Sequence, residues 1–213
     1  MFIDKVLDSR LVRVADTLGK LAIFFAIATW IAEIDDRAAQ RDNLRKEKLY
    51  RAFSILSNQT FLQVGGEIPS LALKEIVTEG VSLKGIQLTG GLYENIDLSG
   101  IDLADAWIDE AAFKNVNFTS ATLTDAVLED MIFDGSNFSG ADFSGAILKL
   151  VDFSKSTGLT PSQFSGAAIC PDVVFPAGFN LEEVDQTGNG VARHYARYTN
   201  DYWKTILDEC VRK

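Results

Sequence analysis

The chain has 213 residues, of which 47% are hydrophobic and 23% charged, the balance of a folded chain and not of a disordered one. A formal net charge of −10 argues against a general nucleic-acid binder, two cysteines exclude a disulfide-dense scaffold, and a single histidine excludes most histidine-based metal sites. The charge is uneven: residues 1–57 carry ten Lys/Arg and eight Asp/Glu, while residues 81–155 carry four and twelve, so the acidity belongs to the middle of the chain.

Residues 1–57 read as an N-terminal helical segment. Residues 21–32, LAIFFAIATWIA, carry no charge, and widening the window to 17–34 admits only Lys20 and Glu33. Leu21, Phe24, Phe25, Trp30 and their neighbours would be apolar on all sides of a helix and not along one stripe. Lys20 can snorkel toward an interface. Six basic residues from Arg37 to Arg51 follow the run and four precede it, which weakly favours the cytoplasm for the side that follows. The expectation is a single membrane helix at about 17–34, with the rest of the protein on the cytoplasmic side. The run is short for a span, so a packing or oligomerising helix in a cytoplasmic protein is the alternative. A signal peptide is disfavoured by the long charged lead. From Asp35 to about Leu56 the pattern is a charged stalk helix. Leu44, Tyr50, Phe53 and Leu56 are its apolar positions, and Arg37, Arg41, Arg45 and Lys48 lie along one face.

Residues 58–80 read as a capping segment. A helix is expected over Ser70–Glu79, with Ser70 as N-cap and Gly80 as the stop. Ile68, Leu71, Ile76 and Val77 are its candidates for plugging the next element.

Residues 81–155 form an internal repeat. They read VSLKG IQLTG GLYEN IDLSG IDLAD AWIDE AAFKN VNFTS ATLTD AVLED MIFDG SNFSG ADFSG AILKL VDFSK, fifteen units without an insertion. The third residue is always large and apolar or aromatic, and the first is small or apolar. Helices repeat apolar residues at three and four, strands at two. A period of five fits a chain that turns a corner at each unit and buries two residues per side, so that stacked coils share one core.

IDLSG, IDLAD, VNFTS, SNFSG, ADFSG and VDFSK resemble the units of the pentapeptide-repeat family, which read roughly A-(D/N)-L-x-x. The resemblance implies a mainly β fold: a right-handed, four-sided parallel β-helix with four units per coil, here just under four coils. At the usual strand spacing of ~4.8 Å per layer the tower is short. Other members carry one N-terminal membrane segment followed by a charged helix, in keeping with the reading of residues 1–57.

Folding the repeat by four stacks residues twenty apart. Tyr93, Phe113, Phe133 and Phe153 form one inner column, which reads as core packing. The second residue of each unit should face outward. It is polar on two sides, but Gln87, Trp107, Val127 and Ile147 form one outer column and Leu92, Ala112, Ile132 and Asp152 the next. Leu92, Trp107, Val127, Ile132 and Ile147 would make an exposed apolar patch, which needs a cover. That cover is the chain's own extension, a second copy or a protein partner. Asp109 stacks on Glu129 and Glu110 on Asp130, at a stability cost. These four acids are either a solvated face or a docking site for a basic partner.

Residues 156–213 read as a C-terminal cap and helix. GLTPSQF resembles the family's exit segment, with Pro161 at a helix start. Val191–Lys213 reads as a final, aromatic-rich helix suited to cover the patch. Cys170 and Cys210 could bridge that helix to the tower's exit if they are close in space. His194 has no metal-ligand spacing around it, and no phosphate or dinucleotide fingerprint is present. No catalytic residue, metal site or cofactor is expected. The functional expectation is a non-enzymatic, membrane-anchored scaffold that binds a protein partner or itself, possessing no nucleic-acid site. The alternative is an acidic DNA mimic, since some pentapeptide-repeat proteins bind type II topoisomerases and protect them from quinolones.

Overall fold

The computed structural model describes residues 2–57, 67–185 and 210; residues 2–24, 27, 28 and 32 are described as helix only. The chain divides into two units, Met1–Lys48 and Leu49–Lys213.

The first unit lies within helix α1 (Phe2–Leu56), which is continuous over 55 residues. The expected membrane helix and stalk are therefore one uninterrupted element. Among the described residues, no helix is long and apolar enough to cross a membrane. The physical reason is the brevity of the uncharged run: twelve residues of helix rise about 18 Å, well short of a hydrocarbon core. Of the four residues assigned to that segment, Phe25 and Trp30 are exposed. The side chains of Leu21 and Phe24 lie outside the described set. The charged stretch is supported by ion pairs one turn apart, Arg37 to Glu33 and Lys46 to Asp42, each at 2.6 Å.

The second unit begins with the last two turns of α1. Ala52 and Leu56 are buried there, and Leu49, Phe53 and Ile55 pack on the same core. Helix α2 (Glu67–Thr78) follows. It starts three residues before the expected Ser70 cap, because Pro69 is tolerated in a first turn whose N–H groups have no helical partner. Ser70 lies inside the helix and spends its hydroxyl elsewhere. It accepts from the Glu94 backbone N–H at 2.9 Å and donates to the Leu92 carbonyl at 3.4 Å. Two of the four expected plugging residues face the core, Ile76 buried and Val77 packed against it. Ala72, Leu73 and Ile76 are buried, while Ile68 and Leu71, expected to plug the tower, are exposed. Gly80 ends the helix at φ 68°, its N–H donating to Val77 O at 2.9 Å.

The tower has four sides, as the five-residue period requires. On one side β1 (Gln87–Thr89), β3 (Trp107–Asp109), β5 (Val127–Asp134) and β6 (Ile147–Asp152) pair in parallel, and β7 (Ala168–Ile169) follows β6. On the adjoining side β2 (Leu92–Glu94) pairs with β4 (Ala112–Lys114), and β4 with the second half of β5. The two remaining sides are held by single bridges, Asp97 to Asn117 to Asn137 and Asp102 to Thr122 to Asp142. All third-position residues are buried. The result is a mainly β parallel solenoid of about four turns, with helices on its N-terminal side.

Two local devices produce the corner. The fifth residue of every unit from Gly85 to Leu150 has positive φ. That left-handed conformation favours Gly, Asn and Asp, which fill most of these positions. On the two bridged sides, the second-position Asp or Asn accepts from the backbone N–H two residues on, as at Asp97 to Ser99 (3.0 Å), Asn117 to Thr119 (3.1 Å) and Asp142 to Ser144 (2.9 Å). This Asx turn replaces strand pairing there. The outer apolar residues occur on the other two sides, where β-strands run instead.

The core is an aromatic stack. Tyr93, Phe113, Phe133 and Phe153 lie face to face at 4.8, 5.6 and 5.1 Å, and Phe175 continues the column at 5.7 Å. Phe164 stacks on Phe143 at 4.7 Å. The coil therefore runs past residue 155: Ala168 pairs with Ile147, and Val174 bridges Asp152. Gln163, from a short 3-10 helix at Pro161–Phe164, donates to the Phe138 carbonyl at 2.7 Å. The expected final helix and His194 lie outside the described residues.

Candidate interaction surface

The residues singled out for recognition sit on the two strand-bearing sides. Trp107, Val127 and Ile147 are in register on β3, β5 and β6. Leu92, Ala112 and Ile132 are in register around the corner. The structure splits the expected patch. Val127 and Ile147 are 1% and 0% exposed, in a cluster with Ala168, Cys170 and Cys210 on which Trp107 packs. Leu92 is half-buried, beside the strand edge that Ser70 caps. Ile132 is 51% exposed. Among the described residues the expected patch is thus not exposed on both sides: Val127 and Ile147 are buried in a cluster that includes Cys210.

Cys170 and Cys210 form a disulfide, with their Cα atoms 4.3 Å apart. Sequence spacing alone leaves this pairing open. The bridge holds Cys210 beside Cys170, in the cluster formed with Val127, Ile147 and Ala168.

The acids lie at the corner between the two sides. Asp109 and Glu129 are in register on β3 and β5, with Lys149 next in the column. Lys149 Nζ reaches Glu129 Oε1 at 3.0 Å, so this stack ends in an ion pair. Glu110 and Asp130 occupy the left-handed corner positions beside them. The Asp109 carboxyl titrates above its ordinary range, first through desolvation and then through the negative charges of Glu129, Glu110 and Asp130. Further along, Lys114 pairs with Glu94 at 3.3 Å and Lys155 with Asp134 at 3.4 Å. Asp109, Glu110 and Asp130 form an acidic ridge at this corner. Among the described residues no group of three or more His, Cys, Asp or Glu is placed to hold a metal ion.

The five-residue period, the left-handed fifth position and the parallel coil find their counterpart in one family. Its model, pentapeptide repeats, matches in eight copies over residues 96–130, 111–149 and 121–157. Residues 96–157 are thus similar to pentapeptide repeats. Solved structures match parts of the chain at low overall similarity. Trypsin-treated QnrB1, a plasmid-mediated fluoroquinolone resistance protein, is 22% identical over 43% of this chain and 47% of that one, with a TM-score of 0.30. The pentapeptide repeat protein Rfr23 from the cyanobacterium Cyanothece 51142 is 26% identical over 42% and 63%, with a TM-score of 0.23. Full-length QnrB1 is 14% identical over 55% and 91%, with a TM-score of 0.24. The chain thus spans about half of the trypsin-treated QnrB1 chain, 47%. No curated protein matches the sequence.

Proposed function

We propose that this is a non-enzymatic interaction protein whose pentapeptide-repeat tower offers an acidic, partly apolar corner to a basic protein surface. The observation that carries the reading is the ridge of Asp109, Glu110 and Asp130. Desolvation first, and then the like charges of Glu129, Glu110 and Asp130, raise the Asp109 carboxyl, and the like charges work against stability. A basic partner converts that cost into attraction and steers its own encounter. The specific form we favour is the acidic DNA mimic suggested by the family resemblance, acting on a type II topoisomerase. Such an enzyme exposes a basic DNA-binding groove that would accept the ridge. The membrane-anchored scaffold needs a span that the described helices do not supply.

The full-length chain, added to a type II topoisomerase, should slow supercoiling in competition with DNA. Added salt should weaken the effect. Replacing Asp109, Glu110 and Asp130 together by their amides should weaken it roughly tenfold. Unchanged supercoiling at low salt sinks the topoisomerase reading and leaves another basic protein, or a second copy, as the partner. Carbonate extraction should release the protein from membranes; recovery only in detergent restores the anchored scaffold.

A further inference from the structure

We propose that the corner column of the tower, Gly90, Glu110, Asp130, Leu150 and Asp172, is a docking site for helix α1 of a second copy of this chain, entered by Ile34, Arg37, Arg41, Leu44 and Lys48. The column extends the acidic ridge, and the assignment rests on the ridge being a site for a basic protein surface, not on the topoisomerase. Gly90, Glu110, Asp130 and Leu150 are fifth residues of their units, all at positive φ. The register of the flanking strands stacks them one coil apart. Asp172 continues the column, its carboxylate accepting from the Leu150 N–H at 2.9 Å. Glu110, Asp130, Leu150 and Asp172 are all exposed. From Gly90 upward the corner is therefore a gap, two acids, an apolar residue and a third acid, at ~4.8 Å per layer.

Helix α1 carries the complementary series. Ile34, Arg37, Arg41, Leu44 and Lys48 follow one another at three and four residues, which keeps them on one helix face. All five are exposed, and the first four line one groove with Gln40. Every acid between Ile34 and Lys48, namely Asp35, Asp36, Asp42 and Glu47, falls on the other side of the helix. The face advances about 5.3 Å for each three or four residues, close to one coil of the tower. Laid along the corner in chain direction, the helix sets Ile34 over the space at Gly90, Arg37 on Glu110, Arg41 on Asp130, Leu44 on Leu150 and Lys48 on Asp172. The helix run covers about 21 Å and four layers about 19 Å, so the register holds to its end. The reverse direction sets Arg37 on Leu150 and Leu44 on Glu110, and loses two of the three ion pairs. Arg37 pairs with Glu33 in the single chain, but an exposed pair of this kind is weak and yields to a partner. Within one chain the register cannot form. Leu49, one residue after Lys48, packs on the core at the N-terminal side of the tower, whereas Asp172 lies four layers further along. The helix therefore comes from a second copy.

The test uses the full chain. Sedimentation velocity at low salt should show self-association, weakened roughly tenfold at high salt. A chain with Arg37→Glu and Arg41→Glu, and a second with Glu110→Lys and Asp130→Lys, should each associate roughly tenfold more weakly than wild type, because each sets like charges together. An equal mixture of the two should associate again, since the acidic helix of the first fits the basic corner of the second. In wild-type chain, half of it labelled with nitrogen-15, a carbodiimide should join Lys48 to Asp172 in peptides of mixed label. The proposal is overturned by a wild-type chain that stays monomeric at low salt, by variants that each associate as wild type does, by folded variants whose mixture does not associate, or by a Lys48–Asp172 bond confined to peptides of uniform label. A corner variant that loses its effect on a topoisomerase but associates as wild type does removes this inference and leaves the ridge reading standing; one unaltered in both removes the ridge reading itself. The labelled wild-type chain carries the decisive comparison, so a poorly folding variant does not remove the test.

Discussion

Tyr93 opens the aromatic column with a hydroxyl that is buried and has no hydrogen-bond partner among the described residues. Burial pushes that hydroxyl above the ordinary tyrosine range. A phenylalanine keeps the stack and removes the stranded group, so Tyr93→Phe should stabilise the protein by about 1 kcal/mol in urea unfolding. The folded chain keeps a proton that the unfolded chain begins to release near pH ~10. The stability linked to Tyr93 is thus complete below that pH and declines as pH rises toward the folded value; Tyr93→Phe should flatten the decline. Asp109 also has a raised folded value, so its contribution is greatest below the ordinary carboxylate range and falls as pH climbs through it. Asp109→Asn should therefore stabilise the chain at neutral pH, by roughly 0.2–1 kcal/mol, and have little effect in acid. Leu150 shows what the sequence conceals. It occupies a fifth position at φ 54°, where its Cβ is strained, and is 49% exposed. Leu150→Gly should relieve that strain, for a net gain of about 0.5 kcal/mol after the greater freedom of glycine in the unfolded chain. A shift in urea midpoint at constant slope would measure it, and a lower midpoint would show that Leu150 contributes packing instead.

At the scale of elements, the strict period of five made the tower readable. Its fifteen buried third positions follow from that spacing alone. The exit was less readable because its spacing loosens: Phe143 to Phe164 and Phe153 to Phe175 are in stacked pairs, but no longer twenty residues apart. Helix α2 was readable in existence and stop, not in start. Ser70 looks like a cap by residue type, and only the fold reveals that its hydroxyl serves the edge of β2. Ser70→Ala should strand the Glu94 N–H and cost about 1–2 kcal/mol, with faster hydrogen exchange at Glu94. The apolar patch was legible residue by residue, yet its division was not. Which outer column is covered depends on where Cys210 returns, a contact between positions 40 residues apart in sequence.

For the molecule as a whole, that long-range link is also a stability term. Closing a loop of this length removes about 4 kcal/mol of unfolded-chain entropy. Reduction should lower the thermal midpoint, and the Cys170→Ser chain should melt at the reduced temperature whether or not reductant is present.

The four-sided coil has a further consequence, which concerns length mutations. Twenty residues return the chain to the same side, while five advance it by a quarter turn. The solenoid therefore behaves like a lock whose tumblers share one angular phase. Removing residues 101–120 deletes a full revolution and should leave Tyr93 beneath Phe133, in a tower one layer of ~4.8 Å shorter. Removing only residues 121–125 dephases everything above it: Trp107 no longer lies under Val127, and the cluster that Cys210 joins comes apart into two halves on different sides. Insertions and deletions in whole revolutions should thus yield folded, bridged protein by thiol titration, and fractional ones should not.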